Sequence, residues 1–188
     1  MKGKIIVISA PSGCGKSTII GRLFEEGGLD MRFSVSATNR SPREGECNGV
    51  HYHFLSTDEF RDAVAAGKFI EWEEVYPGRY YGTLRSEIDN AISKGENVIL
   101  DIDVNGGVNV KKQYDGNAVT IFVKPPCIEE LRHRLEGRGT DSPEVIEQRV
   151  ARAEYEISQA VHFDHVVVND NLEQAVAETR RIISNALA

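Results

Sequence analysis

Nine consecutive residues, Ala10-Pro11-Ser12-Gly13-Cys14-Gly15-Lys16-Ser17-Thr18, have the types and spacing to hold a polyphosphate. In such a loop, glycine-rich backbone turns its N–H groups inward around the anion while a lysine reaches the terminal phosphates. The Ser17 hydroxyl is the expected direct ligand of Mg²⁺. The first position of this motif usually holds glycine; Ala10 serves there if its φ is negative, and Gly13 and Gly15 supply permissive backbone nearer the phosphates. Cys14 would contribute backbone only. A helix starting at Lys16 would bring the partial positive charge of its N-terminus to the same point.

Two further groups of charged residues could meet phosphate. Arg40 and Arg43 follow the end of an expected strand, three residues apart, and facing one cleft they would clamp a second phosphate by bidentate hydrogen bonds that lysine could not match. Arg132, Arg134 and Arg138 bracket a polar, glycine-containing stretch at 136–142, and Arg149 and Arg152 follow on the next helix. Part of this second group must be plain surface charge. Asp101 and Asp103 close one apolar strand and Asn169 closes another. The five histidines and three cysteines show no metal-ligand spacing.

These residues need a scaffold, and the hydrophobic pattern supplies one. Apolar runs at 5–8, 33–37, 98–102, 119–123 and 165–168 read as five strands. Helical spacing follows at 16–27, 84–95, 108–112, 128–135, from Ser142-Pro143 onward, and at 172–187. Strand and helix in alternation predict an α/β fold with a central five-stranded parallel sheet flanked by helices. Residues 38–94 break that rhythm. A turn and small strand occupy 47–54, and a capping box at Ser56–Glu59 opens a helix that turns Phe60 and Val64 inward. A half-buried strand at 69–75 carries Glu71 and Glu73 on one face, and a glycine-bounded aromatic turn fills 78–83. This stretch reads as an inserted acceptor lobe, the core being 1–37, 95–127 and 160–188, with a lid region at 128–159. Ligands are expected at the carboxyl ends of the parallel strands, where Ser9, Asp101 and Asn169 fall.

Length and charge narrow the function. A chain of 188 residues, 40% hydrophobic and 27% charged, fits one domain with a proper core, and no apolar run is long enough to span a bilayer. A net charge of −7 argues against nucleic acid as the main partner, so anionic substrates must be met by local clusters of Arg and Lys. An odd number of cysteines and a start that leads straight into a strand predict thiols in a reducing compartment, the cytoplasm.

Seven strings, SAPSGCGKST, FSVSATNRSPREGECNGVHYHF, FIEWEEV, GRYYGT, ILDID, RLEGRGT and VVVND, come in the order and with the gaps of the guanylate kinases, and the chain resembles that family over nearly its whole length. The resemblance implies a P-loop core with a GMP lobe and a lid. It also implies transfer of the γ-phosphoryl group of ATP, with Mg²⁺, to GMP and to dGMP, giving ADP and GDP in purine nucleotide metabolism, by a monomer or homodimer. By the family's pattern Ser36, Arg40, Arg43, Tyr52 and Tyr81 hold the GMP phosphate, Glu71 and Thr83 meet the guanine, and Asp101 and Asp103 lie near GMP and the metal, Asp101 through water. Arg134, Arg138 and Arg149 would stabilise the phosphate in flight, beside Lys16, and Asn169 would fall near the adenine. The chemistry agrees, since guanine presents two adjacent donors and an acceptor, which one carboxylate and one hydroxyl can match. Two other readings remain: a P-loop kinase for another small phosphate, and a non-catalytic module that holds a phosphorylated peptide. The intact Lys16-Ser17 pair speaks against the second.

Overall fold

A computed structural model describes residues 3–137 and 141–188. In chain order the elements are β1 (Ile5–Ser9), α1 (Lys16–Glu26), β2 (Arg32–Phe33), β3 (Ala37–Thr38), β4 (His53–Phe54), α2 (Thr57–Ala65), β5 (Phe69–Tyr76), β6 (Arg79–Leu84) and α3 (Arg85–Ser93). There follow β7 (Val98–Asp101), α4 (Val104–Gln113), β8 (Ala118–Lys124), α5 (Ile128–Gly137), α6 (Pro143–Ser158), a 3-10 turn (Gln159–His162), β9 (His165–Val168) and α7 (Leu172–Leu187).

Five strands pair in the order β2-β7-β1-β8-β9, and every pairing is parallel. The expected five-stranded parallel sheet is thus observed, with four of its strands where the pattern puts them and the fifth shortened to Arg32–Phe33. β1 is apolar from Ile5 to Ile8 because both its faces are covered. Ile6 and Ile8 pack against Ile19, Ile20 and Leu23 of α1 and Val176, Ile182 and Ile183 of α7. Ile5 and Val7 point the other way, against Ile88 and Ile92 of α3 and Val110 of α4. Parallel strands so covered leave their carboxyl ends as the open edge of the sheet.

A second sheet, β4-β3-β6-β5, stands beside the first. Its β5–β6 hairpin is antiparallel and puts Glu71 opposite Thr83 and Glu73 opposite Tyr81. The capping box is present on α2: the Ser56 N–H donates to Glu59 at 2.6 Å, and the Glu59 N–H donates to Ser56 Oγ at 3.2 Å. Ala63, with Phe60, is the buried residue on this helix, and Val64 is only half-buried.

Three local expectations are corrected. Residues 33–37 form two short strands rather than one: Arg32–Phe33 joins the core sheet, and Ala37–Thr38 joins the second. An apolar alternation reports burial and carries no information about which sheet supplies the partner. The aromatic stretch at 78–83 is strand β6, and the turn is confined to the residues before Arg79. The helix expected at 108–112 begins at Val104, with Asp103 as its N-cap accepting from the Gly106 N–H at 2.8 Å. Gly106-Gly107 concealed this start, because glycine weakens a helical pattern. Both are needed for close approach: a Cβ on Gly107 would lie 2.8 Å from the Phe163 ring, and one on Gly106 would lie 3.1 Å from Glu71 Cγ. Among the described residues no helix is long and apolar enough to cross a membrane.

Candidate active site

The glycine-rich loop leaves β1 at Ser9 and enters α1 at Lys16. Gly13 and Gly15 have φ of 93° and 86°, left-handed values that turn the backbone around the cavity. The loop is braced from behind. Asn169, 5% exposed at the end of β9, donates from Nδ2 to the Cys14 carbonyl at 2.9 Å. A Cβ on Gly15 would fall 2.4 Å from that same nitrogen. No side chain caps the start of α1, so its first N–H groups remain available to an anion. The Cys14 side chain is buried with Leu131, Leu135, Ile146 and Val150, and this burial pushes its thiol up to about 12, a value that removes it from nucleophilic chemistry at neutral pH.

In front of the loop is a cavity of about 600 Å³, walled by loop residues from Ala10 to Thr18 and by Asp101, Asp103 and Arg149. Lys16 Nζ lies 2.6 Å from Asp101 Oδ1 and donates to the Ile102 carbonyl at 3.2 Å. Asp103 gives its side chain to the α4 cap, and its carbonyl accepts from Ser9 Oγ at 3.1 Å. Ser17 and Thr18 are exposed at the cavity wall.

A second cavity of about 240 Å³ shares Glu73, Asp101, Ile102 and Asp103 with the first and reaches Ser36, Tyr52, Glu71 and Tyr81. Thr83 Oγ1 donates to Glu71 Oε1 at 2.5 Å. Burial, helped by the charges of Asp103 and Glu73 and opposed by the Thr83 hydrogen bond, pushes the Glu71 carboxyl up to about 7. Arg40 lies 5.0 Å over the Tyr52 ring, and Tyr52 meets Tyr81 edge-on at 5.9 Å. Both terminal nitrogens of Arg40 donate to Glu46 at 2.6 Å, and the Arg43 N–H donates to the same carboxylate at 2.7 Å. These bonds hold the Glu46 carboxyl down at about 2 and raise Arg40 further above its ordinary range. Tyr80 stacks on Phe60.

The arginines beyond β8 separate into distinct settings. Arg149 reaches from α6 to Ser12 Oγ at 3.2 Å and faces Asp141 at 3.3 Å, so it lies across the loop. Arg134 pairs within α5 to Glu130 at 2.7 Å, close enough to the loop that its charge acts on Cys14. Arg138 lies outside the described residues. Arg132 pairs with Glu147 and joins α5 to α6.

Two participants escaped the sequence reading. Glu46 fixes Arg40; the signal for it was a carboxylate three residues beyond Arg43. Arg152, a wall residue of the larger cavity, has no role in the sequence reading, although three residues after Arg149 on a helix means the same face. Among the described residues no three Asp, Glu, His or Cys side chains are grouped as a metal cage. The donors that do face the phosphate cavity, a hydroxyl and carboxylates, are hard oxygen ligands of the kind Mg²⁺ accepts together with substrate phosphates.

A parallel sheet that presents a glycine-rich loop, its lysine and a second polar cavity at its carboxyl edge is a P-loop nucleotide-binding core built for two substrates. The family model described as guanylate kinase matches residues 2–186. The guanylate kinase of Bacteroides thetaiotaomicron is 55% identical over 187 residues, which is 100% of this chain and 91% of that one. That of Porphyromonas gingivalis is 51% identical over 98% of each. The crystal structure of guanylate kinase from Anaplasma phagocytophilum superposes with a TM-score of 0.71 at 32% identity, covering 98% of this chain and 86% of that one. The chain belongs to the guanylate kinase family.

Proposed function

We infer that the protein transfers the γ-phosphoryl group of ATP to GMP, giving ADP and GDP, and that dGMP is a second acceptor. The observation that carries the choice of acceptor is the Glu71–Thr83 pair: Glu71 lines a cavity that shares wall residues with that of the glycine-rich loop, and the buried Thr83 hydroxyl lies 2.5 Å from its carboxylate. An ionised Glu71 accepts from the adjacent N–H donors of guanine, and Thr83 meets its acceptors; adenine lacks that donor edge.

Ser36, Arg40, Arg43, Tyr52 and Tyr81 hold the GMP phosphate. The loop backbone and Lys16 hold the triphosphate, and Arg134, Arg138 and Arg149 join Lys16 in neutralising charge on the phosphate in flight. Ser17 directly and Asp101 through water would hold Mg²⁺, which would supply further charge neutralisation. The acceptor oxygen is already anionic, so the site needs no general base. Residues 38–94 act as the GMP lobe and 128–159 as the lid, in a cytoplasmic enzyme.

An ADP-release assay with GMP, AMP, UMP and CMP as acceptors tests the reading. Turnover with GMP alone is expected. Turnover with another monophosphate would point to a different P-loop kinase, and tight GMP binding without ADP release would point to a binding module.

A further inference from the structure

Arg152 stands at the wall of the phosphate cavity with its partners on two different parts of the molecule. Its Nε donates to Glu156 Oε1 at 2.8 Å, one turn along α6. Its Nη2 donates to Glu73 Oε1 at 3.1 Å, on β5 of the second sheet and 79 residues away in sequence. Glu73 lies two residues from Glu71 and therefore on the same face of that strand. α6 in turn packs through Ile146 and Val150 onto Leu131, Leu135 and Cys14, beneath the glycine-rich loop. One guanidinium thus joins the sheet that carries the base-reading pair to the helix that carries Arg149.

We propose that the Arg152–Glu73 pair is a positioning contact of the phosphoryl transfer, holding the acceptor sheet in register with the phosphate cavity across the cleft. The inference rests on the GMP reading for the identity of the acceptor, while the contact itself depends only on the two lobes.

An exposed ion pair between neighbours on one surface has little effect. This one differs in two respects. The Arg152 side chain is 60% exposed, but its guanidinium is also held through Nε by Glu156, which is only 7% exposed, so one of its two partners is fixed in the protein interior. Its second partner belongs to a separate sheet, so even a weak bond biases how the two parts sit rather than how one surface is decorated. Charge balance points the same way. The described side chains around the larger cavity include the carboxylates Glu73, Glu74, Asp101, Asp103 and Glu156 against the cations Lys16, Arg149 and Arg152. Arg152 therefore also masks the Glu73 charge from an incoming polyphosphate. Loss of Arg152, which leaves Glu73 bare at the cleft, should harm acceptor binding more than loss of Glu73.

The test is a double-mutant cycle of R152Q and E73Q with the exchanged pair E73R/R152E. Readouts are KM for GMP, kcat, ATP affinity by calorimetry, and nucleotide-free distances between spin labels on α2 and α7, with the exposed Cys47 and Cys127 replaced by Ser. Each single substitution should broaden the distance distribution and raise KM for GMP by about threefold to fivefold, with ATP affinity unchanged. The double variant should be no worse than R152Q, and the exchanged pair should recover most of the loss. Additive effects, or unchanged distances and KM, overturn the proposal. So does a collapse of kcat in R152Q with distances unchanged, which would make Arg152 a direct phosphate ligand. If the parent enzyme did not turn over GMP, the functional reading would fail, and the nucleotide-free distances would still decide the contact.

Discussion

Lys16 Nζ sits 2.6 Å from Asp101 Oδ1, so the lysine of the glycine-rich loop is paired with the carboxylate that ends the neighbouring strand β7. Without nucleotide the pair balances its own charge. A bound triphosphate would compete with Asp101 for the lysine, and Asp101 would then be free to accept from water. Lys16→Ala should lower kcat by a factor on the order of 10² or more, since it removes charge from the phosphate in flight. The Asp101 side chain is 36% exposed and can hydrate, so the unfolding midpoint should barely move. Near-normal turnover in a folded variant would show that Lys16 is not the donor-site cation.

Glu71 should make GMP binding pH-dependent. Its carboxyl titrates at about 7 in the free protein, raised first by burial. Guanine donors favour the carboxylate, so binding GMP should lower that value and release a fraction of a proton at pH 7. Calorimetry in buffers of different ionisation enthalpy would measure the release, and affinity should fall as pH drops below 7. Stability has the opposite sign. A folded-state value above the usual 4.5 is a contribution present below pH 4.5 and lost as pH rises through 7. Glu71→Gln should therefore melt higher relative to the parent at pH 8 than at pH 4.5. The same substitution should cost roughly 1–3 kcal/mol of preference for GMP over AMP. Binding independent of pH, with selectivity unchanged, would move base reading to another residue.

Arg40 is fixed before any phosphate arrives. Both its terminal nitrogens donate to Glu46, and Nη1 also donates to the Ser41 carbonyl at 3.0 Å. A guanidinium has five N–H groups, so three are spent on Glu46 and Ser41, and Nε–H and one N–H of Nη2 are left for the neighbouring Tyr81 hydroxyl and for the proposed phosphate. Arg40→Ala should raise KM for GMP strongly and KM for ATP far less. Arg40→Lys should recover little, because an ammonium cannot serve Glu46 and a phosphate through two opposed edges. Equal losses for both substrates in steady-state kinetics would count against the clamp.

What could be read in the chain divides along physical lines. The 165–168 strand and the 172–187 helix are legible to the residue because their signals are local: a run of β-branched residues, then an amphipathic stripe. The division of 33–37 between two sheets was not legible, since the partner strands come from distant sequence. The start of α4 was hidden by Gly106-Gly107, whose reason for being glycine is Phe163, far along the chain. The residue types proposed for loop, clamp and base reading stand out by spacing, and the structure gathers them at the carboxyl edge of the sheet. The partners that restrain them are less legible, because Asp101 for Lys16 and Glu73 for Arg152 are pairings between distant segments, and spacing in sequence does not encode an angle in space.

Asn169 separates two roles that one experiment can distinguish. The resemblance suggests a place near the adenine, whereas its buried Nδ2 is spent on the Cys14 carbonyl at 2.9 Å, behind the glycine-rich loop. Asn169→Ala would leave that carbonyl without its donor and open a small space under Gly15. Stability should fall by roughly 1–3 kcal/mol, the usual consequence of leaving a buried acceptor unpaired. Loss of the brace also lets the loop relax away from the phosphates, so triphosphate affinity should drop whatever the base. Asn169→Asp should be worse, since it aims an acceptor at an acceptor. Gly15→Ala strains the same contact from the other side: its φ of 86° disfavours a side chain, and its Cβ would lie 2.4 Å from Asn169 Nδ2. Calorimetric affinities for ATP and GTP on Asn169→Ala decide between the roles. A brace predicts the same fold-loss for both nucleotides, together with a lower melting temperature; a loss confined to ATP in a variant of parental stability would assign Asn169 to the adenine.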